Sequence, residues 1–388
     1  MNEYVKEKIR TILLTFAESL VITAIVLFVI CPVSCKMTAE GVKILDGDYT
    51  PPVLRKVEVL DSKTVALSFS ESVRLSECVV SPFEMDFSDS MEGSYSTSLA
   101  DSIQAALGKH GRLSVSMEYF QQNSLIHIIL DEEMKVGCKY ELYGNVTDKI
   151  GNTLTILIPF EGYNSSIPHL LITEVQSESV SSQKSVEKQN GTYRTEFVEL
   201  LALEEGNLSG IELISGYDGE AKKYEFPAVE VKKGEVFTVH LRNRGNGCIS
   251  EVEDKLDLAF GLYTDSNSRD LWSLETGTSL GNKTDVIVIR NKQSEEIIDA
   301  VFYAAPEIEQ WTKEMGIFAE QAAQWGIYEN AEIDQAFITE GLTASKTIAR
   351  KNAFEIQTKV LAGEEMSFPI MNSCSFWEIN NEPSPGHL

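Results

Sequence analysis

The residues best suited to chemistry in this 388-residue chain are three carboxylates, Glu174, Glu196 and Glu199, in two strand-like segments. Two carboxylates held several ångströms apart can act as acid and base in glycoside hydrolysis. Side chains alternate between the faces of a strand, so Glu196 and Glu199, three positions apart, point to opposite faces. Pairing with Arg194 or with lysines at a strand rim is therefore the expected role of these carboxylates, and no catalytic residue is assigned. Asp265, Asn267 and Asp270 form an acidic loop with the oxygen ligands calcium favours, but the loop lacks the sixth-position glycine and distal glutamate of an EF-hand. With 59 acidic residues in the chain, such a loop is expected to be solvated, and no metal is expected. The five histidines are far apart; His127 and His240 lie in apolar runs and read as packed strand residues. HExxH, P-loop and GxGxxG motifs do not occur, and no cofactor is expected.

Charge narrows the partners. Lys and Arg total 33 against 59 Asp and Glu, a net charge of -26. Glu3, Glu7 and Glu18 cancel Lys6, Lys8 and Arg10, so everything after residue 35 carries the whole excess. A surface this acidic repels phosphate backbones, and nucleic acid is not an expected partner. The 43% apolar content and the length suit two packed domains.

The amino terminus sets the expected compartment. An apolar run from Leu20 to Ile30 is too short for a membrane-spanning helix, which needs ~20 residues, but suits a signal peptide. It ends in Cys31-Pro32-Val33-Ser34-Cys35, which resembles a bacterial lipoprotein signal over residues 1–35. The resemblance implies cleavage after Ser34 and acylation of Cys35, anchoring the protein to a membrane. An uncleaved anchor helix from about Ile12 to Val33 is the alternative, and either places the bulk of the chain outside the cytoplasm. Residues 36–49 are polar and read as a tether.

Beyond the tether, period-two patterning predicts strands. Val57 and Val59, the turn Asp61-Ser62-Lys63, then Val65, Leu67 and Phe69 read as a hairpin; Leu113, Val115, Met117 and Tyr119, Tyr140 with Leu142, and Ile156, Ile158 and Phe160 continue the pattern. Residues 101–110 have helical spacing behind Asp101. Thr50-Pro51-Pro52-Val53, Val65 to Val73, Tyr140 to Val146 and Asp148-Lys149-Ile150-Gly151-Asn152 resemble the bacterial Ig-like domain of surface-layer proteins, which implies a non-catalytic envelope module over residues 50–163. From Pro168, the segments Leu171 to Val175, Glu196 to Leu200, Leu208-Ser209-Gly210, Tyr224 to Pro227, Gly234 to His240, Asp285 to Arg290, Ile298 to Tyr303 and Trp377 with Pro383 to Gly386 are similar to a lamin-tail domain. That resemblance spans residues 167–388 and implies an Ig-like sandwich with a binding or scaffolding role. The expected fold class is thus all-β: two Ig-like sandwiches in tandem with short helical inserts.

This division leaves two cysteines in each half, so Cys78 with Cys138 and Cys248 with Cys374 are the expected disulfides, with four buried thiols as the alternative. In the second half Ile308, Trp311, Met315, Phe318, Ala322 and Trp325 recur every three or four residues, predicting an amphipathic helix over about 306–328. Its stripe either docks on the sandwich, the preferred reading, or offers Trp311, Met315, Phe318 and Trp325 to a partner. The expected function is an exported, lipid-anchored envelope protein with a non-catalytic binding or scaffolding role and an envelope or extracellular partner. A hydrolase of envelope glycans or phosphoesters using loop carboxylates is the rival.

Overall fold

The computed structural model describes residues 49–83, 112–178, 195–242, 247–274 and 276–388. The expected signal with Cys35, the tether and the helical segment at 101–110 lie outside the described residues. The described chain is mostly β, as its alternation predicts.

The first half is a sandwich of two antiparallel sheets. Strands β1 (Leu54–Val59), β2 (Thr64–Phe69), β4 (Val115–Phe120) and β5 (Leu125–Leu130) make one sheet in the order β1-β2-β5-β4. Strands β3 (Val73–Phe83), β6 (Lys139–Asp148) and β7 (Thr153–Glu161) make the other. Val65, Leu67, Ile126, Ile128, Leu142 and Ile158 fill the space between them. The Asp148-to-Asn152 segment is a turn because Asp148 Oδ1 accepts the backbone N–H groups of Ile150, Gly151 and Asn152 at 2.8, 2.6 and 2.8 Å, while Gly151 takes φ +107°, a conformation suited to glycine. Met117 and Tyr119, expected inside, are exposed because β4 is an edge strand; Tyr119 instead hydrogen-bonds the Leu75 backbone through its hydroxyl.

The second half contains β8 (Leu170–Gln176), β9 (Phe197–Ala202), β10 (Gly206–Asn207), β11 (Ile211–Ser215), β12 (Tyr224–Glu225), β13 (Glu230–Val231), β14 (Val236–His240), β15 (Arg269–Trp272), β16 (Asp285–Asn291), β17 (Ile297–Ala304), helix α1 (Lys313–Gln324), β18 (Phe337–Ile338), β19 (Thr347–Arg350), helix α2 (Ala353–Leu361) and β20 (Trp377–Asn380). A five-stranded sheet, β12-β11-β16-β17-β18, faces a six-stranded one, β15-β14-β9-β8-β19-β20; β10 and β13 pair separately. Between them lie Ile172, Leu200, Leu213, Phe237, Ile289 and Tyr303.

Each sheet also carries a helix on its outer face. Met315, Phe318, Ala319 and Ala322 of α1 pack on Ile214, Val286, Val288 and Phe302, so the stripe docks. The helix is shorter than the predicted 306–328. Thr312 caps its start, its hydroxyl accepting the Met315 N–H at 3.3 Å, and Gly326 at φ +78° turns the chain away past its end. Trp311, just before the cap, sets its ring edge-on to Phe302 and donates to the Ala331 carbonyl, whereas Trp325 is exposed. Helix α2, not anticipated by sequence pattern, buries Ile356 and Val360 against Leu171, Leu201 and Val236.

The expected disulfides are a correction. Among the described residues no disulfide joins Cys78 to Cys138 or Cys248 to Cys374. Cys78 sits in a bulge between Ser76 and Val79, while Cys138 precedes Lys139, which pairs with Phe83. Five residues of strand at ~3.4 Å each put them roughly 17 Å apart, far beyond the ~7 Å Cα separation a disulfide tolerates. Burial pushes the Cys78 thiol up to about 12. Cys248 precedes Ser250, which binds β15 at Trp272, and Cys374 precedes β20; these strands are opposite edges of the six-stranded sheet. Five strand spacings of ~4.8 Å separate them by roughly 24 Å.

Candidate functional site

Two places gather chemistry-bearing groups: a carboxylate row on the six-stranded sheet and an open cleft where the two halves meet. The row exists because of a register shift. A bulge between Ile172 and Glu174 brings Glu174 directly opposite Glu199, which in turn lies opposite Thr238 and, one strand on, Asp270. Side chains in lateral register share a face, so three carboxylates line up across four strands.

The row is sealed by the chain's own carboxyl-terminal segment. Glu199 accepts the Thr173 hydroxyl at 2.6 Å and the Gly386 N–H at 2.7 Å. Glu174 accepts from the Thr347 hydroxyl, from Asn380 Nδ2 at 3.2 Å and from the Ser384 N–H at 3.1 Å. His387 then meets Asp265 at 2.6 Å, securing the segment's end. Burial pushes the Glu199 carboxyl up to about 8, with the neighbouring Glu174 charge adding to the rise. Burial also raises Glu174, against the hydrogen bond from Thr347. Asp270 is raised by burial in the same way, although His240 Nε2 binds its Oδ1 at 2.6 Å. The His240 ring stacks on Trp272 with centroids 4.1 Å apart, so it is the packed strand residue its apolar run predicted.

Glu196 points to the other face, as strand parity requires, where it meets Arg242 at 3.3 Å and accepts the Leu280 N–H. Its partner is thus Arg242, and the expected rim position is corrected for both residues: Glu196 and Glu199 are each 1% exposed. Arg194 lies outside the described residues. The acidic loop is also internally satisfied. Asp265 accepts the Asn267 N–H at 2.6 Å, and Asp270 accepts the Asp265 N–H. Among the described residues no group of three or more His, Cys, Asp or Glu is placed to hold a metal ion.

The cleft is what sequence reasoning missed, because its walls come from segments more than 200 residues apart. Its volume is about 640 Å³, and Lys56, Glu58, Lys139, Glu161, Tyr163 and Gln293 are among the residues around it. Lys292, in the β16–β17 turn, bridges the halves by binding Glu161 at 3.2 Å and Glu225 at 3.1 Å. Burial lowers the Lys292 ammonium but these two carboxylates outweigh it, holding the group above its usual range. Gln293 reaches across to the Val59 carbonyl. Gly137 permits close approach at the neighbouring contact, since a Cβ there would stand 2.1 Å from that of Ala228. Charges of both signs and aromatic rings line the opening. Among the described residues no helix is long and apolar enough to cross a membrane.

An uncharacterized protein of Treponema pallidum (strain Nichols) is 27% identical over 288 residues, covering 68% of each chain. Two solved structures of the S-layer protein SbsC are similar at low level. Its N-terminal part is 14% identical with a TM-score of 0.23 over 53% of this chain, and a longer fragment is 9% identical with a TM-score of 0.21 over 62%. The chain spans 44% and 39% of those two. The family described as the TP_1001 protein second domain matches residues 168–379, which begin just before β8 and end within β20. With more than half of its length matched, the chain belongs to the TP_1001 protein second-domain family.

Proposed function

We propose that this is an exported, lipid-anchored cell-envelope protein with a non-catalytic binding or scaffolding role, carried by the second, lamin-tail-like half. The observation that carries the reading is the separation of reactivity from access. The carboxyl groups with strongly raised proton affinity, Glu199, Asp285 and Asp299, are each buried and bonded to their own chain. The open cleft instead presents opposite charges, amides and aromatic rings, the mixture found where proteins recognise partners. The first half, on this reading, is a spacer that holds the second away from the membrane, and the anchor is Cys35.

Two measurements test it. Growth with a fatty-acid analogue should label the protein, and Cys35→Ser should abolish the label; an unlabelled full-length protein in the membrane would replace the lipid anchor with a retained helix. Incubation with a phosphodiester and glycan panel, with and without divalent metal, should give no turnover. Turnover abolished by Glu199→Gln would instead establish the hydrolase.

A further inference from the structure

We propose that the junction cleft captures an extended peptide, which adds to the free edge of β1 as a fifth strand of its sheet. The inference rests on the binding role proposed above and names its ligand. Among the described residues strand β1 ends its sheet, and one side of its backbone has no strand partner there. In an antiparallel pair, residues alternate between those whose N–H and C=O face the partner and those whose groups face away. The Leu60 N–H donates to the Thr64 carbonyl at 2.8 Å across the β1–β2 hairpin, so Leu60 faces β2. Val59, opposite Val65, therefore faces outward, and so does Val57, opposite Leu67.

An independent contact agrees with this alternation. The Gln293 side-chain amide, from the second half, donates to the Val59 carbonyl. A side chain thus already makes the rung that an added strand would make. The next outward residue, Val57, lines the cleft.

The opposite wall is a poorer ladder. The Gly162 N–H donates to the Cys138 carbonyl at 2.9 Å, and the same alternation turns Pro159 and Glu161 outward on β7. Pro159 has no N–H, so this edge cannot continue a ladder, as is usual for proline on edge strands. That leaves β1 as the hydrogen-bonding wall, with Tyr163, Phe160 and Ile167 as the apolar one. Lys56, Lys139 and Lys292 are met by Glu58, Glu161 and, just outside the cleft, the Glu225 that Lys292 binds, which suits a peptide without large net charge. Strand addition of this kind takes affinity from the backbone and specificity from side-chain pockets.

The test uses the full-length chain and random octapeptides displayed on phage, with the selected octapeptide then synthesised and titrated. Val57→Pro removes only an outward N–H and fits an extended edge, while Val57→Ala loses a comparable side chain and keeps the N–H. Val57→Pro should bind at least tenfold more weakly than Val57→Ala, and peptide should slow amide exchange at Val57 in the wild type. The exchange measurement decides the matter even where Val57→Pro folds poorly. Failure to select any octapeptide, equal binding by Val57→Pro at unchanged melting temperature, or no added protection at Val57 would each overturn the inference. Envelope binding that survives Val57→Pro would keep the binding role and discard the peptide.

Discussion

Phe318→Ala is expected to destabilise the second half by about 3–5 kcal/mol, the usual cost of removing a buried phenylalanine. Phe318 is 3% exposed on the inner stripe of α1, against Val286, Val288 and Phe302 of the five-stranded sheet. Deleting the ring opens a cavity that residues held on both sides by a sheet and a helix cannot readily fill. At roughly 2–4 °C per kcal/mol for a unit of this size, the melting temperature should fall by about 10 °C. Trp325→Ala is the contrast: 43% exposed and beyond the helix end, it should change stability by less than ~0.5 kcal/mol. Equal effects would mean that the whole stripe docks, and no effect from Phe318→Ala would mean that the helix does not dock in solution.

Raising the pH from 4 to 8 is expected to destabilise the fold progressively, with Glu199 dominating the upper part of that range. Burial first, and the Glu174 charge after it, push the folded-state Glu199 carboxyl up to about 8, against about 4.3 in an unfolded chain. The folded protein therefore holds a proton that the unfolded chain releases, so unfolding releases it and stability falls as pH rises. The stabilisation is fully present below about pH 4.3 and lost as pH passes about 8. Asp285 and Asp299, each pushed up to about 6 mainly by burial, add to the fall below pH 6, and the raised Glu174 and Asp270 act in the same direction. Each pH unit of displaced affinity is worth ~1.4 kcal/mol, discounted for relaxation of the site. Glu199→Gln cannot ionise, so urea unfolding should show a shallower loss between pH 6 and 8. An unchanged slope would place the titrating group elsewhere.

The strands were legible because alternation at Val65, Leu67 and Phe69, or at Ile156, Ile158 and Phe160, is a local property that tertiary packing kept. The docking face of α1 was legible for the same reason, since Met315, Phe318 and Ala322 recur at helical spacing. Its ends were overextended because an apolar period continues past the Thr312 cap and Gly326, where the backbone does not. The burial of Glu174 and Glu199 was not legible. It depends on one extra residue at the β8 bulge and on a closing segment nearly 200 residues later in the chain. The cysteine pairing failed because even counts constrain which bridges are possible, not which residues approach each other. The cleft depends on Lys292 and Gln293 meeting Glu161 and Val59, contacts that no local spacing encodes.

The most direct test of the account is equilibrium binding of the full-length protein to isolated cell envelopes, compared among wild type, Glu174→Gln and Glu199→Gln. The account predicts one saturable affinity shared by all three, because those carboxylates are sealed within the second half and do not meet the partner. Loss of binding in either folded variant, or wild-type signal that decays as the envelope material is consumed, would contradict it.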